Sequence, residues 1–383
     1  MRFSTFAARL RVVLFWTHLT MGVAAGIVVF ILSVSGALLG FEQPVIALVD
    51  GAPQVAPTRD QRRLPLDTLL ARAGLAATDV ASITLRSDAA EPVIVRTVQR
   101  ARGTLLINPY TGATIPTVGG GRARALMQDL RRWHRWLGQP NGGGWGRDVT
   151  GAANLLFLFM VVTGLYLWWP RILTRQAFRA VAVPGLRLSG KARDFNWHHV
   201  IGLWSAVPLF VIVLGGVFLS YEWPQQWVTR WSGQATGAAT RASATPPGDA
   251  RVIPFTGALQ PLLDSALARR HDWTIATLSL PTARDGDLSA TVSSGNTYRP
   301  DLRSMLTFDA STGAITSSRD SRELPRARRV RNWLRFLHTG EVFGLPGQAI
   351  ATLVSLGAAV LVFTGLALSL RRFARWRARG ATA

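Results

Sequence analysis

Four stretches of this chain carry no charged residue, and each is long enough to cross a bilayer. They cover residues 12–41, 149–170, 195–221 and 342–370, which is 30, 22, 27 and 29 residues. A hydrocarbon core takes roughly 20 apolar residues in an α-helix, so all four qualify as spans. The first is longer than the apolar core of a secretory signal and no cleavage site follows it, so it reads as a retained anchor. The expected organisation is therefore TM1 with its N-terminal flank (1–41), a long segment (42–148), TM2 (149–170) and a short loop (171–194). TM3 (195–221), a second long segment (222–341) and TM4 with its C-terminal tail (342–383) complete it.

The net charge of +22 follows that division. Residues 1–17, 171–196 and 371–383 together hold 14 Lys/Arg and one acid. Short basic flanks stay in the cytoplasm, which puts both termini and the 171–194 loop inside and the two long segments outside. Basic residues beside spans face lipid headgroups, so the charge argues for a bilayer as partner and not for a nucleic acid. There is no cysteine, which excludes disulfides, thiolate metal sites, iron–sulfur clusters and covalent haem attachment.

The chain repeats itself. His18 and His198 open matching apolar runs, with Gly22 and Gly202 four residues on and Gly36 and Gly216 fourteen further, all at an offset of 180. "LRRWHRWLG" (130–138) matches "LRFLHTGEVFG" (334–344), pairing His134 with His338. The following spans close with "VVTGLYLWWPR" (161–171) and "VFTGLALSLRR" (362–372). Each half also holds an extended segment ending in a turn, "LLINPYTG" (105–112) and "LTFDASTG" (306–313). The fold class expected is a membrane α-helical protein: a four-transmembrane-helix bundle with two external α+β modules and an internal two-fold repeat. Strands are expected near 80–115 and 274–316. Amphipathic helices are expected near 64–73, 123–137, 257–270 and 324–338. The Pro-rich segment 231–261 reads as a loose loop.

The topology sorts the histidines by membrane face. His18 and His198 sit at the inner starts of TM1 and TM3, and His134 and His338 just outside TM2 and TM4. Two facing imidazoles at each face meet the demand of a b-type haem, whose iron has two axial positions that neutral imidazole fills. Gly22 and Gly202 lie one turn from a histidine on the same helix face, where a missing side chain gives a macrocycle room. Gly36, Gly164, Gly216 and Gly365 offer the same room to the macrocycle or to a neighbouring helix. Arg132 and Arg335, with Arg11, Arg131, Arg135 and Arg193, are candidate partners for haem propionates. His199 is adjacent to His198 and points about 100° away, so both cannot face one iron; it is a propionate donor or an alternative ligand. His271 reads as a surface residue. "GGGRARAL" (119–126) lacks the strand and acidic residue of a dinucleotide site.

The motifs "HTGEVFGLPGQ", "TGLYLWWPR" and "FNWHHVIGLWS", with the TG-ended strands, resemble the PepSY-associated transmembrane family over nearly the whole chain. That resemblance implies a helix bundle with external PepSY-like domains in a bacterial inner membrane. It also implies a likeness to ferric-siderophore reductases, including ferrioxamine-type reductases with two haem b groups. Carried over by position, His18, His198, His134 and His338 become the axial ligands. The function expected is reduction of Fe(III) in periplasmic ferric siderophores, with electrons supplied by a cytoplasmic or quinol donor. Two other readings stay open: a haem relay between quinol and a periplasmic protein, and a non-enzymatic PepSY binding or regulatory module on a membrane anchor.

Overall fold

The computed structural model describes residues 2–51, 54–56, 62–98, 103–116, 121–140, 144–169, 174–233, 255–281, 287–295 and 299–380. Residues 234–254 of the Pro-rich segment lie outside the described residues. In chain order the first half has α1 (Arg2–Leu39), α2 (Glu42–Val49), α3 (Leu66–Arg72), β1 (Val80–Arg86), β2 (Val93–Thr97), β3 (Thr104–Ile107), β4 (Thr114–Ile115), α4 (Arg122–Trp136) and α5 (Trp145–Trp168). A short helix α6 (Arg175–Ala182) leads to the second half. That half has α7 (Gly190–Ser220), α8 (Trp223–Trp231), α9 (Gln260–Leu267), β5 (Trp273–Ser279), β6 (Leu288–Ser294), β7 (Arg303–Phe308), β8 (Ile315–Asp320), α10 (Arg326–Thr339) and α11 (Gly344–Gly380).

Two compact units result, one of residues Met1–Glu42, Ala125–Gln225 and Leu334–Ala383, the other of Gln43–Arg124 and Gln226–Trp333. The first is helical. Among the described residues its α1, α5, α7 and α11 are four helices long and apolar enough to cross a membrane, and each covers most of one charge-free stretch. Each packs on two others in the ring α1–α5–α7–α11, which sets α1 diagonally opposite α7. Two small apolar clusters hold the ring together, Leu209, Val213, Val354 and Ala358 in one and Ala25, Val29 and Ala153 in the other. Alanines interleave with Leu and Val there, because helices in lipid gain by close van der Waals approach and not by leaving water. At one end Asp194, 1% exposed, is held by Arg193 at 2.9 Å and by Arg371 at 2.6 Å, which ties α7 to α11.

The second unit is one eight-stranded antiparallel sheet of order β4-β3-β2-β1-β5-β6-β7-β8. The strands and amphipathic helices lie where the pattern put them, but the two expected external modules share this single sheet. The joint is the β1–β5 pair, Ser82 to Arg86 against Ser279 to Ile275, with Thr84 and Thr277 hydroxyls 3.0 Å apart across it. An open four-stranded sheet leaves an unpaired edge, and each half covers the other's. One face packs on α3 and α9 through Leu66, Leu69, Leu259, Leu262 and Ala266 against Ile83, Val95, Leu278, Val292 and Leu306, all buried. Each of the Leu, Ile and Val side chains contributes about 1.5–3 kcal/mol by leaving water. The helices also cap each other: Asp67 of α3 accepts from the Leu259 and Gln260 amides, and the Gln260 side chain accepts from the Leu66 amide at 2.9 Å. Those amides at helix starts have no partner of their own, so the reciprocal caps lock the two halves in register.

Candidate cofactor site of paired histidines

Thr163 on α5 and Thr364 on α11 are the residues that sequence reasoning passed over. Each lies in the "TG" of its span. The His18 Nδ1 is 3.0 Å from the Thr163 hydroxyl, and the His198 Nδ1 is 3.0 Å from the Thr364 hydroxyl. A hydroxyl has one proton to give. Thr163 donates to the Phe159 carbonyl at 2.9 Å and Thr364 to the Val360 carbonyl at 2.8 Å, each one turn back on its own helix. Their oxygens are therefore left to accept, and each histidine donates from Nδ1–H. The lone pair of each ring sits on Nε2.

The other pair reaches the same state by different means. His134 on α4 donates from Nδ1 to the Leu32 carbonyl of α1 at 3.0 Å, with the Ser35 hydroxyl also 3.0 Å away. Ser35 gives its own proton to the Ile31 carbonyl at 2.6 Å. His338 on α10 donates to the Ile212 carbonyl of α7 at 2.6 Å. Leu32 and Ile212 are themselves related by the offset of 180. A carbonyl can only accept, so Nδ1 carries the proton in both rings and Nε2 is again the free nitrogen. The His134 and His338 ring centroids are 6.1 Å apart, with planes at 55°. Burial, then the charge of His338 beside it, pushes His134 down to about 4, and burial lowers His338 as well. Both are neutral at pH 7, the state in which imidazole ligates metals.

Glycine makes the approach possible. A Cβ on Gly164 would sit 3.2 Å from Cε1 of His18, on Gly365 3.2 Å from Cε1 of His198, and on Gly36 3.1 Å from Cε1 of His134. At His338 the close approach is to Gly215, 3.0 Å from its Cβ, while Gly216 faces the Asn154 amide instead. Gly22 and Gly202, expected to make room beside the histidines, have ordinary neighbours: Met160 Sδ at 3.5 Å and Leu361 Cδ2 at 3.7 Å from an added Cβ. The histidines thus rest on glycines of the neighbouring helix and not on those of their own.

Most of the arginines have other partners. Arg11 donates to the Leu167 and Trp169 carbonyls at 2.6 and 2.9 Å, capping α5. Arg131 pairs with Glu42, Arg132 with Asp129 at 2.7 Å, and Arg193 with Asp194. Arg335 lies over the Phe336 ring at 5.5 Å and Arg135 over Trp136 at 4.6 Å. His199 donates from Nδ1 to the Phe195 carbonyl of its own helix at 2.8 Å and packs on the Phe195 ring; its Nε2 is free as well, but its acceptor lies on its own helix and not on a neighbouring one. His271 is exposed.

The PepSY-associated TM region model matches residues 15–372. The chain belongs to that family. No curated protein matches it. The family match takes in all four histidines and both threonines of this PepSY-associated membrane protein.

His134 and His338 fit the ligand pair of a bis-histidine haem, and His18 and His198 share their tautomer. Two imidazoles bonded through nitrogen to one metal at about 2 Å place their centroids about 6 Å apart, the separation seen for His134 and His338. Metal-ligating histidines hold their other ring nitrogen in a hydrogen bond, which fixes the tautomer, and all four rings do so. Among the described residues no three His, Asp or Glu side chains gather as a metal cage. A haem asks for two protein ligands only.

Proposed function

We propose that this protein is a di-haem b electron-transfer protein of the bacterial inner membrane that reduces Fe(III) in ferric siderophores to Fe(II). The observation that carries the reading is the common state of four repeat-related imidazoles, each with Nδ1 spent and Nε2 free. When bound, haem b would supply a one-electron couple. His18 and His198 would hold one group, and His134 and His338 the other.

The chain's own residues do the rest. His18 and Leu32 are fourteen residues apart on α1, as are His198 and Ile212 on α7, which separates the two sites by about 21 Å along the bundle. Thr163, Thr364 and the Leu32 and Ile212 carbonyls fix the tautomers and aim the rings. Leu209, Val213, Val29 and Ala358 keep the space between dry. In the expected topology, termini inside and sheet unit in the periplasm, an electron moving outward runs with the membrane potential, about 2.3 kcal/mol per 100 mV. The acceptor takes one electron, and Fe(II) is held less tightly than Fe(III) by hard oxygen ligands. The donor is a cytoplasmic protein or quinol.

Pigment analysis of the detergent-purified protein tests this. Two haem b per chain are expected, with split α-bands on reduction, and His338→Ala and His18→Ala should each remove about half of the pigment. A colourless protein, or an unchanged spectrum in both variants, sinks the reading.

A further inference from the structure

The sheet unit has a shallow, solvent-open surface pocket lined by Pro300, Asp301, Ser321, Arg322, Arg329, Asn332 and Trp333, where one carboxylate arm of a larger molecule could rest. Its floor is built. Arg299 binds both oxygens of Asp301, at 2.9 and 2.7 Å, and its guanidinium lies 5.6 Å over the Trp333 ring. Arg322 reaches Asp301 at 4.0 Å. These bonds use Asp301 fully and hold its carboxyl below the usual range, so it stays ionised. Three guanidinium groups against one carboxylate leave an excess of two positive charges at the pocket. The Arg329 guanidinium and the Asn332 amide have no protein partner among the described residues.

The repeat shows that the scaffold does not need this cluster. At the offset of 204 that relates His134 to His338, Arg329, Asn332 and Trp333 correspond to Ala125, Gln128 and Asp129. The first half thus has an acid where the second has the aromatic floor. Trp333 is also five residues before His338 on α10. A planar guanidinium matches a carboxylate with two parallel hydrogen bonds, and an unpaired amide adds a further donor.

We propose that this pocket binds an anionic, carboxylate-bearing metal chelate, and so selects negatively charged ferric chelates over cationic ones. The binding stands on the pocket alone; its role in choosing the electron acceptor rests on the proposed function. Gallium(III) citrate, which mimics the ferric chelate and cannot be reduced, separates the two. Titration calorimetry on the intact purified protein should show binding, with a cationic gallium trihydroxamate at least tenfold weaker. Arg329→Gln and Arg322→Gln should each weaken citrate-chelate binding at least tenfold. Arg328→Gln, the same charge loss on a residue that does not line the pocket, should change it less than twofold. Equal binding by wild type and both pocket variants, or a preference for the cationic chelate, overturns the proposal. So does displacement by equimolar phosphate or by anionic-lipid nanodiscs, which would make the pocket a phosphate site. A colourless protein that still binds gallium citrate through Arg329 would sink the haem reading and leave this one standing.

Discussion

At the His18–His198 end of the helical unit a threonine hydroxyl orients each ring, and at the His134–His338 end a main-chain carbonyl does. The outcome for the imidazole is the same, a proton on Nδ1 and a lone pair on Nε2. The cost differs. A threonine reaches across from the neighbouring helix, and the glycine after it receives the edge of the ring. A carbonyl acceptor in mid-helix demands that the donor helix come close, which is why Gly215 meets the Leu334 carbonyl, 2.8 Å from where its Cβ would be. The threonine device can be tuned by side-chain substitution, whereas the carbonyl device stands or falls with helix packing.

The largest break in that comparison is steric. Gly164→Val and Gly365→Val put methyl groups where Cε1 of His18 and His198 now rests. Each should remove about half of the bound pigment and leave the His134–His338 half in place, read by haem content and electron paramagnetic resonance. Equal loss from both ends would mean that the bundle packs as one body and that the two sites are not independent. Next comes Thr163→Val or Thr364→Val, which keeps shape and removes the acceptor. Loss of a hydrogen bond behind a metal-bound histidine costs roughly 10–100-fold in affinity, and the midpoint potential of that end alone should shift. Ser35→Ala probes the carbonyl end. The Leu32 carbonyl still holds His134, so the loss should stay below about tenfold.

The smallest effect lies in the sheet. Asn108 makes the β3–β4 turn by accepting from the Tyr110 and Thr111 amides, and Asp309 makes the equivalent β7–β8 turn from the Ser311 and Thr312 amides. The Ser311 hydroxyl and then the Thr312 and Ser311 amides push Asp309 down to about 2. A carboxylate with a lowered pKa contributes stability above its ordinary value that is lost as pH falls towards the shifted one. Hydrogen exchange in β7 and β8 should therefore quicken between about pH 4 and pH 2, while β3 and β4 lack that dependence. Asp309→Asn should abolish the pH dependence and already show at pH 7 the weaker protection that the wild type reaches only near pH 2. Persistence of the acid effect in the variant would assign it elsewhere.

Much of this was legible in the chain. Charge-free stretches named the membrane helices because no helix of that length is apolar by accident in water. The offset of 180 picked His198 over His199, and the structure leaves His199 on its own helix's carbonyl. Yet the "TG" pairs were read only as span endings, although two threonines at repeat-related places in apolar spans were a visible signal. Arg132 pairs with Asp129 and Arg335 lies over the Phe336 ring, contacts that only the structure shows. Proximity in sequence to a histidine said nothing of which carboxylate or ring each arginine would meet.

The amino-acid sequence determined which segments are helix, strand and span, and that the histidines come in related pairs, because hydrophobic period and repetition are local properties of the chain. It could not determine that the two β segments join as one sheet, or that Leu32 and Ile212 supply carbonyls to rings a hundred residues away. Those depend on which backbones come close, and every residue carries the same backbone donor and acceptor, so only packing decides which of them are used.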